Sequence, residues 1–444
     1  MKKKILIVVA ALIVLGIAFW FFATRNQTAA LPITATEGVK PEIPAPSKSL
    51  IPTMNIAPAV GWKDGEAPTA AAGLKVNAFG HGLQHPRWLL PLPNGDVLVA
   101  ESDAPPKPEG NPGIRGWVQG KVMKRAGSNT PSANRITLLR DADGDGVAET
   151  RSVLIADLFS PFGMALVGDE LYIANADALV KVPFKVGQTK IDAKPVKVID
   201  LPGGPINHHW TKNVIASRDG KLLYITVGSN SNVGERGMAV EKDRAAVLEY
   251  DIATKERRVY AYGIRNPNGL AWQPGTDTLW TVANERDELG SDIVPDYLTS
   301  VQFGGFYGWP WYYWGGVADP RPTEPDTNDL AGYVIRPDYA LGPHVAALGL
   351  TFSEGAKLGP KFASGAFIGE HGSWNRKPKS GYKVVFVPFV KGRPAAKPID
   401  VLTGFLDEDE DARGRPVGVV IDRTGALLVA DDVGGKVWRV AAAR

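Results

Sequence analysis

The chain contains no cysteine in 444 residues. That excludes thiolate metal sites, covalent c-type haem and cysteine nucleophiles, and it suits an extracytoplasmic compartment in which stray thiols would oxidise. Charge of one sign is also scarce: 50 basic residues face 47 acidic ones, and part of the small excess is a lysine cluster at the N-terminus. Aromatic residues do not interleave with a basic stripe, so no nucleic-acid partner is expected. Beyond residue 74 there is almost no long pattern with a 3.6-residue period, which argues against a helical domain. Familiar site signatures are missing as well: no glycine-rich dinucleotide turn between strand and helix, no Walker A loop, and no convincing GxSxG or HExxH run.

What is present starts with Lys2, Lys3 and Lys4, followed by an apolar run from Ile5 to Ala23. As a helix rising about 1.5 Å per residue, this run would nearly cross a hydrocarbon core. Phe21 and Phe22 stand where small residues should precede a cleavage site. Residues 1–23 therefore read as an uncleaved anchor, crossing the inner membrane through residues 5–23 with the lysines inside and the remainder in the periplasm or an equivalent compartment. Cleavage further along, near Ala29, is the competing reading. Residues 24–73, rich in Pro, Ala, Thr and Gly, read as a spacer and an arm leading into the domain.

From Leu74 onward one unit recurs: a polar turn, a short strand, then a polar or acidic residue. It appears as PNGDVLVAES (93–102), VGDELYIANA (167–176), RDGKLLYITVGS (218–229), GTDTLWTVANE (275–285), SGAFIGEHGSW (364–374) and RTGALLVADD (423–432). Six copies predict an all-β, six-bladed β-propeller over residues 74–444, because each small twisted sheet needs neighbours to cover its two faces. The strand beginning near Leu74 is expected to pair into the blade ending at Val440, which would close the ring and hide both edges.

The polar residues at the ends of these strands carry the chemistry. In GGPINHHWTKN (203–213), either of the adjacent His208 and His209 is suited, when neutral, to take a hydroxyl proton while the other holds the loop. In YGIRNPNGLAW (262–272), Arg265 and Asn266 pair a planar cation with an amide, a combination that can stabilise charge on a carboxylate or quinone oxygen. ANERDELGSD (283–292) is dense in charge and offers oxygen ligands to a hard cation such as Ca²⁺. DADGDGVAE (141–149) sets Asp141, Asp143 and Asp145 at alternate positions before Gly146, like the first half of an EF-hand loop, with Ser152 in the place of the usual bidentate glutamate. A structural Ca²⁺ remote from the reacting centre is expected there. EHGSWNRKPKSGYKVVF (370–386) adds Trp374, on which a planar cofactor could rest, with Arg376 and Lys377 as cations for its acid groups. Arg415 precedes the last repeated unit.

Taken in order, these runs resemble the soluble quinoprotein glucose/sorbosone dehydrogenase family, six-bladed propellers that use pyrroloquinoline quinone (PQQ). The resemblance spans roughly Leu74 to Arg439. It rests on GLQHPRWLLPLPNGDVLVAES (82–102), the histidine run before RDGKLLYITVG (218–228), YGIRNPNGLAWQPGTDTLWTVANERDELG (262–290), GGFYGWPW (304–311), HGSWNR (371–376) and GRPVGVVIDRTGALLVADD (414–432).

The resemblance implies His209 as catalytic base, with His208 the lesser substitute, and Arg265 with Asn266 at the reacting quinone oxygen. It implies cofactor-bound Ca²⁺ against main-chain carbonyls at Glu285 and Arg286, although the Gln-Gly-Pro form of some members is lacking. Arg415 matches a cofactor-binding arginine, and Arg376 or Lys377 would supply a further cation. A second arginine of some glucose-oxidising members has no counterpart at Val417, so their sugar preference does not carry over. The implied activity is PQQ- and Ca²⁺-dependent oxidation of an aldose, sorbosone or related hydroxy-aldehyde to a lactone or acid, with electrons leaving for an external quinone or cytochrome. A Ca²⁺-dependent lactonase-like hydrolase and a degenerate propeller that only binds are the alternatives.

Overall fold

The computed structural model describes residues 2–47, 49–106, 124–128 and 130–443, with the backbone alone described at Lys2 and Lys3. Met1 and Lys48, which belong to the expected anchor and spacer, lie outside the described residues. Six antiparallel sheets follow one another along the chain as the blades of a propeller.

Blade 1 runs Pro86–Pro91, Val97–Glu101, Arg135–Arg140, Thr150–Ile155, and blade 2 runs Met164–Val167, Glu170–Ala174, Ala178–Pro183, Val196–Asp200. Blade 3 comprises Val214–Ala216, Leu222–Val227, Ala246–Asp251 and Arg257–Tyr262. Blade 4 comprises Pro267–Trp272, Leu279–Ala283, Pro295–Val301 and Tyr339–Pro343. Blade 5 is built from Ala347–Phe352, Gly365–Glu370, Lys383–Val390 and Ile399–Thr403. Blade 6 takes three strands from the C-terminus, Pro416–Ile421, Leu427–Asp431 and Lys436–Ala442, and its fourth from Leu74–His81. Val440 faces Val76 and Ala442 faces Leu74 in that last pairing, so the ring closes as the sequence predicts.

The six recurring units are the second strands of the six blades. Their side chains are covered on both faces in Val97–Glu101, Leu279–Ala283, Gly365–Glu370 and Leu427–Asp431, whereas an outer strand such as Val196–Asp200 is largely exposed. This contrast explains why apolar runs recur in the second strands rather than in such outer strands. Neighbouring blades bury apolar surface against each other, as where Trp280 of blade 4 meets Phe352 and Phe389 of blade 5. Near the axis the inner strands approach so closely that a Cβ on Gly349 would lie 2.1 Å from the Val417 carbonyl oxygen.

In each blade the start of the first strand pairs with the end of the second: Pro86 with Glu101, Pro267 with Ala283, Ala347 with Glu370, Pro416 with Asp431. All first-strand entrances and second-strand exits therefore gather at one end of the propeller, called the mouth below.

The N-terminal helix Lys2–Thr24 is exposed along its apolar length, and Lys4–Thr24 is long and apolar enough to cross a membrane, as a signal sequence also would be. The segment after it, read from the sequence as a spacer, is laid along the propeller. Glu37–Gly38 adds to the edge of blade 4 and Thr69–Ala70 to the edge of blade 5.

Candidate active site at the propeller mouth

The histidine run precedes the first strand of blade 3, and the Gly228-Ser229 turn ends its second strand. His209 donates its main-chain N–H to the Ser229 carbonyl (3.3 Å), and its Nδ1 lies 2.8 Å from that same oxygen. A carbonyl only accepts, so Nδ1 carries the proton and Nε2 keeps its lone pair. Burial, helped by the positive charge of Arg265 and then by His208, holds the His209 imidazole well below its ordinary pKa. Its loop is held from beneath by Lys212, which is fully buried and donates through Nζ to the carbonyls of His209 (3.3 Å) and Trp210 (3.0 Å). Burial, with Arg244 nearby, depresses the Lys212 ammonium well below the usual lysine range.

Gly228 brings His209 and Asn266 together. A Cβ at that position would fall 2.5 Å from the His209 Cβ and 2.3 Å from Asn266 Oδ1, so only glycine leaves room for both. Arg265 and Asn266 enter blade 4 immediately beside this point, and the Arg265 carbonyl accepts from Ser229 N at 2.8 Å. The Arg265 guanidinium donates to the Glu285 carbonyl (2.7 Å), to both oxygens of Asn232 (3.1 and 3.0 Å) and to Asp287 Oδ2 (3.1 Å).

Asp287 is the hub of this side. Besides Arg265 it accepts from Asn375 Nδ2 at 2.8 Å and stands 3.7 Å from His344 Nδ1. Burial alone would raise its carboxyl, but Arg265, His344 and Asn375 hold it at about 2. Asp296, buried beneath and accepting from Glu285 N and Ala346 N at 2.7 Å each, is driven the other way, to about 7, by burial.

A second cluster completes the ring. Asp432, at the end of the last repeated unit, accepts from Arg87 Nη1 and from His371 Nε2 (2.9 Å). Burial would raise the Asp432 carboxyl, yet His371 and Arg87 hold it well below the carboxylate range. The Arg87 guanidinium lies 5.7 Å from the Trp210 ring and 5.8 Å from Phe162, joining this cluster to the His209 loop. Arg415 is buried, 5.1 Å over Tyr382, and donates Nη2 to the Ala57 carbonyl at 3.2 Å.

Of the other residues expected from the sequence, Trp374 is exposed at the rim. Arg376 is buried and donates to the carbonyls of Ser291 (3.0 Å) and Pro378 (2.8 Å), while Lys377 is exposed with its own carbonyl taken by Ala29 N (2.7 Å). The side chains of Glu285 and Arg286 pair with each other at 2.9 Å, and Arg286 goes on to Asp319, so only their main-chain oxygens face the question of a metal. Asp141, Asp143 and Asp145 converge with Glu149, their oxygens within 4.8 Å of one another, in the turn between the third and fourth strands of blade 1, away from the mouth. Glu149 joins that set; Ser152 instead donates to the Thr189 carbonyl. His344, Asp432, Arg87 and Lys212 escape the sequence reading; Asp432 alone carries a signal, as the acidic end of a repeated unit.

Several buried polar atoms of this mouth have no partner among the described residues: the acceptors Asn266 Oδ1, Asn284 Oδ1, Asn375 Oδ1 and Asp432 Oδ1, and the donors Arg87 Nε and Arg415 Nε. Buried polar groups are rarely left unpaired, so such a concentration makes the mouth the candidate ligand site. Donors that suit carboxylates alongside oxygens that suit a hard cation fit a polyacidic quinone with Ca²⁺.

A family model described as TrAA12-like matches residues 132–296 and 318–443, more than half of the chain. The chain belongs to this family. Its propeller is of the PQQ-dependent sugar-dehydrogenase-like type that the sequence resembles. Among similar proteins, a PQQ-dependent sugar dehydrogenase of Hypocrea jecorina is 22% identical over 84% of this chain and 89% of its own length. A PQQ-dependent pyranose dehydrogenase of Coprinopsis cinerea is 25% identical over 52% of this chain, a match that spans only 39% of that enzyme. Of solved structures, the Trichoderma reesei family AA12 enzyme superposes with a TM-score of 0.68 at 19% identity, covering 88% of this chain and all of the other. The PQQ domain of the Coprinopsis cinerea enzyme gives 0.66 at 20% identity, covering 87% and 100%. These likenesses establish the fold of this TrAA12-like chain, and its named relatives are dehydrogenases.

Proposed function

We propose that this chain is a PQQ- and Ca²⁺-dependent dehydrogenase that oxidises an aldose, sorbosone or related hydroxy-aldehyde to a lactone or acid. The observation that carries the reading is the set of unpaired polar atoms at the mouth that holds His209: Arg87 Nε and Asp432 Oδ1 in one ion-paired cluster, Arg415 Nε, and the amide oxygens of Asn266, Asn284 and Asn375. Arg87 and Arg415 would bind the acid groups of the cofactor, and Asn266, Asn284 and Asn375 would turn oxygens toward its cation. When bound, PQQ supplies the electrophilic carbonyl that accepts hydride and Ca²⁺ polarises it.

His209 Nε2 takes the hydroxyl proton of a hemiacetal or aldehyde hydrate. Its Nδ1 bond to Ser229 holds the required tautomer, and its depressed pKa keeps it unprotonated at neutral pH. Arg265, saturated by Asn232, Glu285 and Asp287, contributes fixed positive charge beside the base. A cyclic aldose would leave as a lactone and a hydrated aldehyde as an acid. Electrons would pass to an external quinone or cytochrome. The N-terminal helix, ending in Phe19, Trp20, Phe21 and Phe22 where an interfacial aromatic belt belongs, would tether the enzyme on the outer side of the inner membrane.

Equilibrium titration of the purified protein with PQQ in the presence of Ca²⁺ tests this site. Binding should weaken at least tenfold in Arg87→Ala and Arg415→Ala. Unchanged affinity in both variants, with the fold intact, would place the cofactor elsewhere.

A further inference from the structure

The segment that follows the N-terminal helix grips the mouth end of the propeller almost at once. Thr28 pairs with Lys377 in a parallel bridge, and Ala29 N donates to the Lys377 carbonyl at 2.7 Å. Ser291 Oγ donates to the Gln27 carbonyl at 2.6 Å, and the main-chain N–H groups of Ala30 and Leu31 both donate to the Asp292 carboxylate, at 2.7 and 3.2 Å. Ser291 and Asp292 follow the second strand of blade 4, and Lys377 follows the second strand of blade 5. Both loops belong to the mouth.

Residues 34–39 leave the rim and run along the outer edge of blade 4, where Glu37–Gly38 pairs with Tyr339–Pro343 and Lys397 donates to the Thr34 and Glu37 carbonyls, and the segment then returns to the mouth. Ser47 N donates to the Leu289 carbonyl at 2.9 Å, Asn55 N to the Trp374 carbonyl at 2.8 Å, and Trp62 Nε1 to Asp431 at 2.7 Å. The helix end is itself held: the Ala23 carbonyl accepts from Ser49 Oγ (2.6 Å) and Ile51 N (3.1 Å), and Ala23 is buried.

Only residues 25–27 lie between the last helical residue and the first bridge to the propeller. At most ~3.6 Å per extended residue, this gap reaches on the order of 10 Å. Strands of five or six residues put the two ends of a blade about 20 Å apart. A tether shorter than the blade and fastened to one end leaves little freedom to turn the other end toward the point of attachment.

We propose that residues 25–62 form an orienting strap that holds the mouth of the propeller toward the bilayer, so that the partner of this face is the lipid surface. The proposal rests on the reading of the helix as an uncleaved anchor. Substrate would then enter through the water layer between rim and headgroups, while the far end, with the turns between first and second strands, faces away from the membrane.

The absence of native cysteine makes the test direct. Single cysteines are introduced into the full chain at Glu288 or Asp409, exposed at the mouth, and at Asp277 or Glu354, exposed at the far end. Each is labelled with a fluorophore, and the protein is reconstituted in vesicles carrying a headgroup quencher. Glu288→Cys and Asp409→Cys should be quenched several-fold more than Asp277→Cys and Glu354→Cys, and Asp292→Ala, which removes the acceptor for Ala30 and Leu31, should narrow that difference. Flotation with vesicles combined with equal or reversed quenching would overturn the orientation while leaving the anchor intact. An unchanged difference in folded Asp292→Ala protein would overturn the strap. Protein that does not float with vesicles would overturn the anchor reading, and the proposal with it.

Discussion

His209 Nδ1 lies 2.8 Å from the main-chain oxygen of Ser229, which leaves Nε2 as the one lone pair of the ring that can receive a proton. Substituting His209 by Ala should lower kcat by about 10²- to 10⁴-fold, the range for loss of a positioned base. PQQ binding should change little. Steady-state rates beside a cofactor titration check this, and a variant that keeps its rate would remove His209 from the proton step.

The pH profile follows from the same environment. Burial and Arg265 depress the imidazole, so its conjugate acid forms only below the ordinary histidine pKa of about 6.5. The acid limb of kcat/KM should therefore fall clearly below pH 6.5. A limb at or above that value would mean that another group titrates.

Gly228→Ala tests the close approach of His209 and Asn266. The new Cβ would meet both side chains at 2.5 Å or less, which no rotamer relieves because the contacts are with a Cβ and a packed amide. A drop in kcat with a propeller that remains folded by circular dichroism is expected. Wild-type turnover would show that the two side chains need not meet there.

Stability should depend on pH in two opposed windows. Asp287 is depressed to about 2, so its contribution is complete above the unfolded value near 4 and is lost as pH falls through about 2. Asp296 is raised to about 7, so its preference for the folded state holds below about 4 and is lost as pH rises through about 7. Denaturant unfolding at several pH values should show a flatter profile between about pH 4 and 7 in Asp296→Asn than in wild type. Identical slopes would contradict the assignment. Asp287→Asn should cost about 3–5 kcal/mol, because it leaves Arg265 buried beside no counter-charge.

The acidic turn of blade 1 predicts a separate effect. With PQQ absent, chelation should lower the thermal midpoint of wild-type protein, and the triple change Asp141→Asn, Asp143→Asn, Asp145→Asn should markedly reduce that dependence while cofactor affinity stays the same. Equal sensitivity to chelator in both proteins would put the structural ion elsewhere.

The blades are legible in the sequence because their second strands are buried on both faces and so repeat as apolar runs between polar turns, Val97–Glu101 and Leu427–Asp431 alike. Closure is legible from Leu74–His81, a strand with no partner nearby in sequence. The site is legible only where neighbours in sequence are neighbours at the mouth, as with Arg265 and Asn266. The pairing of Arg87 with Asp432, 345 positions apart, arises from ring closure and leaves no local pattern. His344 reaches Asp287 from a loop without a motif, and the course of residues 24–62, from the mouth along the edge of blade 4 and back to the mouth, is written in main-chain hydrogen bonds that composition does not reveal.

The central claim is best tested by following artificial-dye reduction with the purified protein, PQQ and Ca²⁺ across a panel of aldoses, sorbosone and simple aldehydes. Substrate-dependent reduction that vanishes without PQQ and collapses in His209→Ala is the expected result. Folded protein that binds no PQQ and reduces no dye with any member of the panel would contradict it.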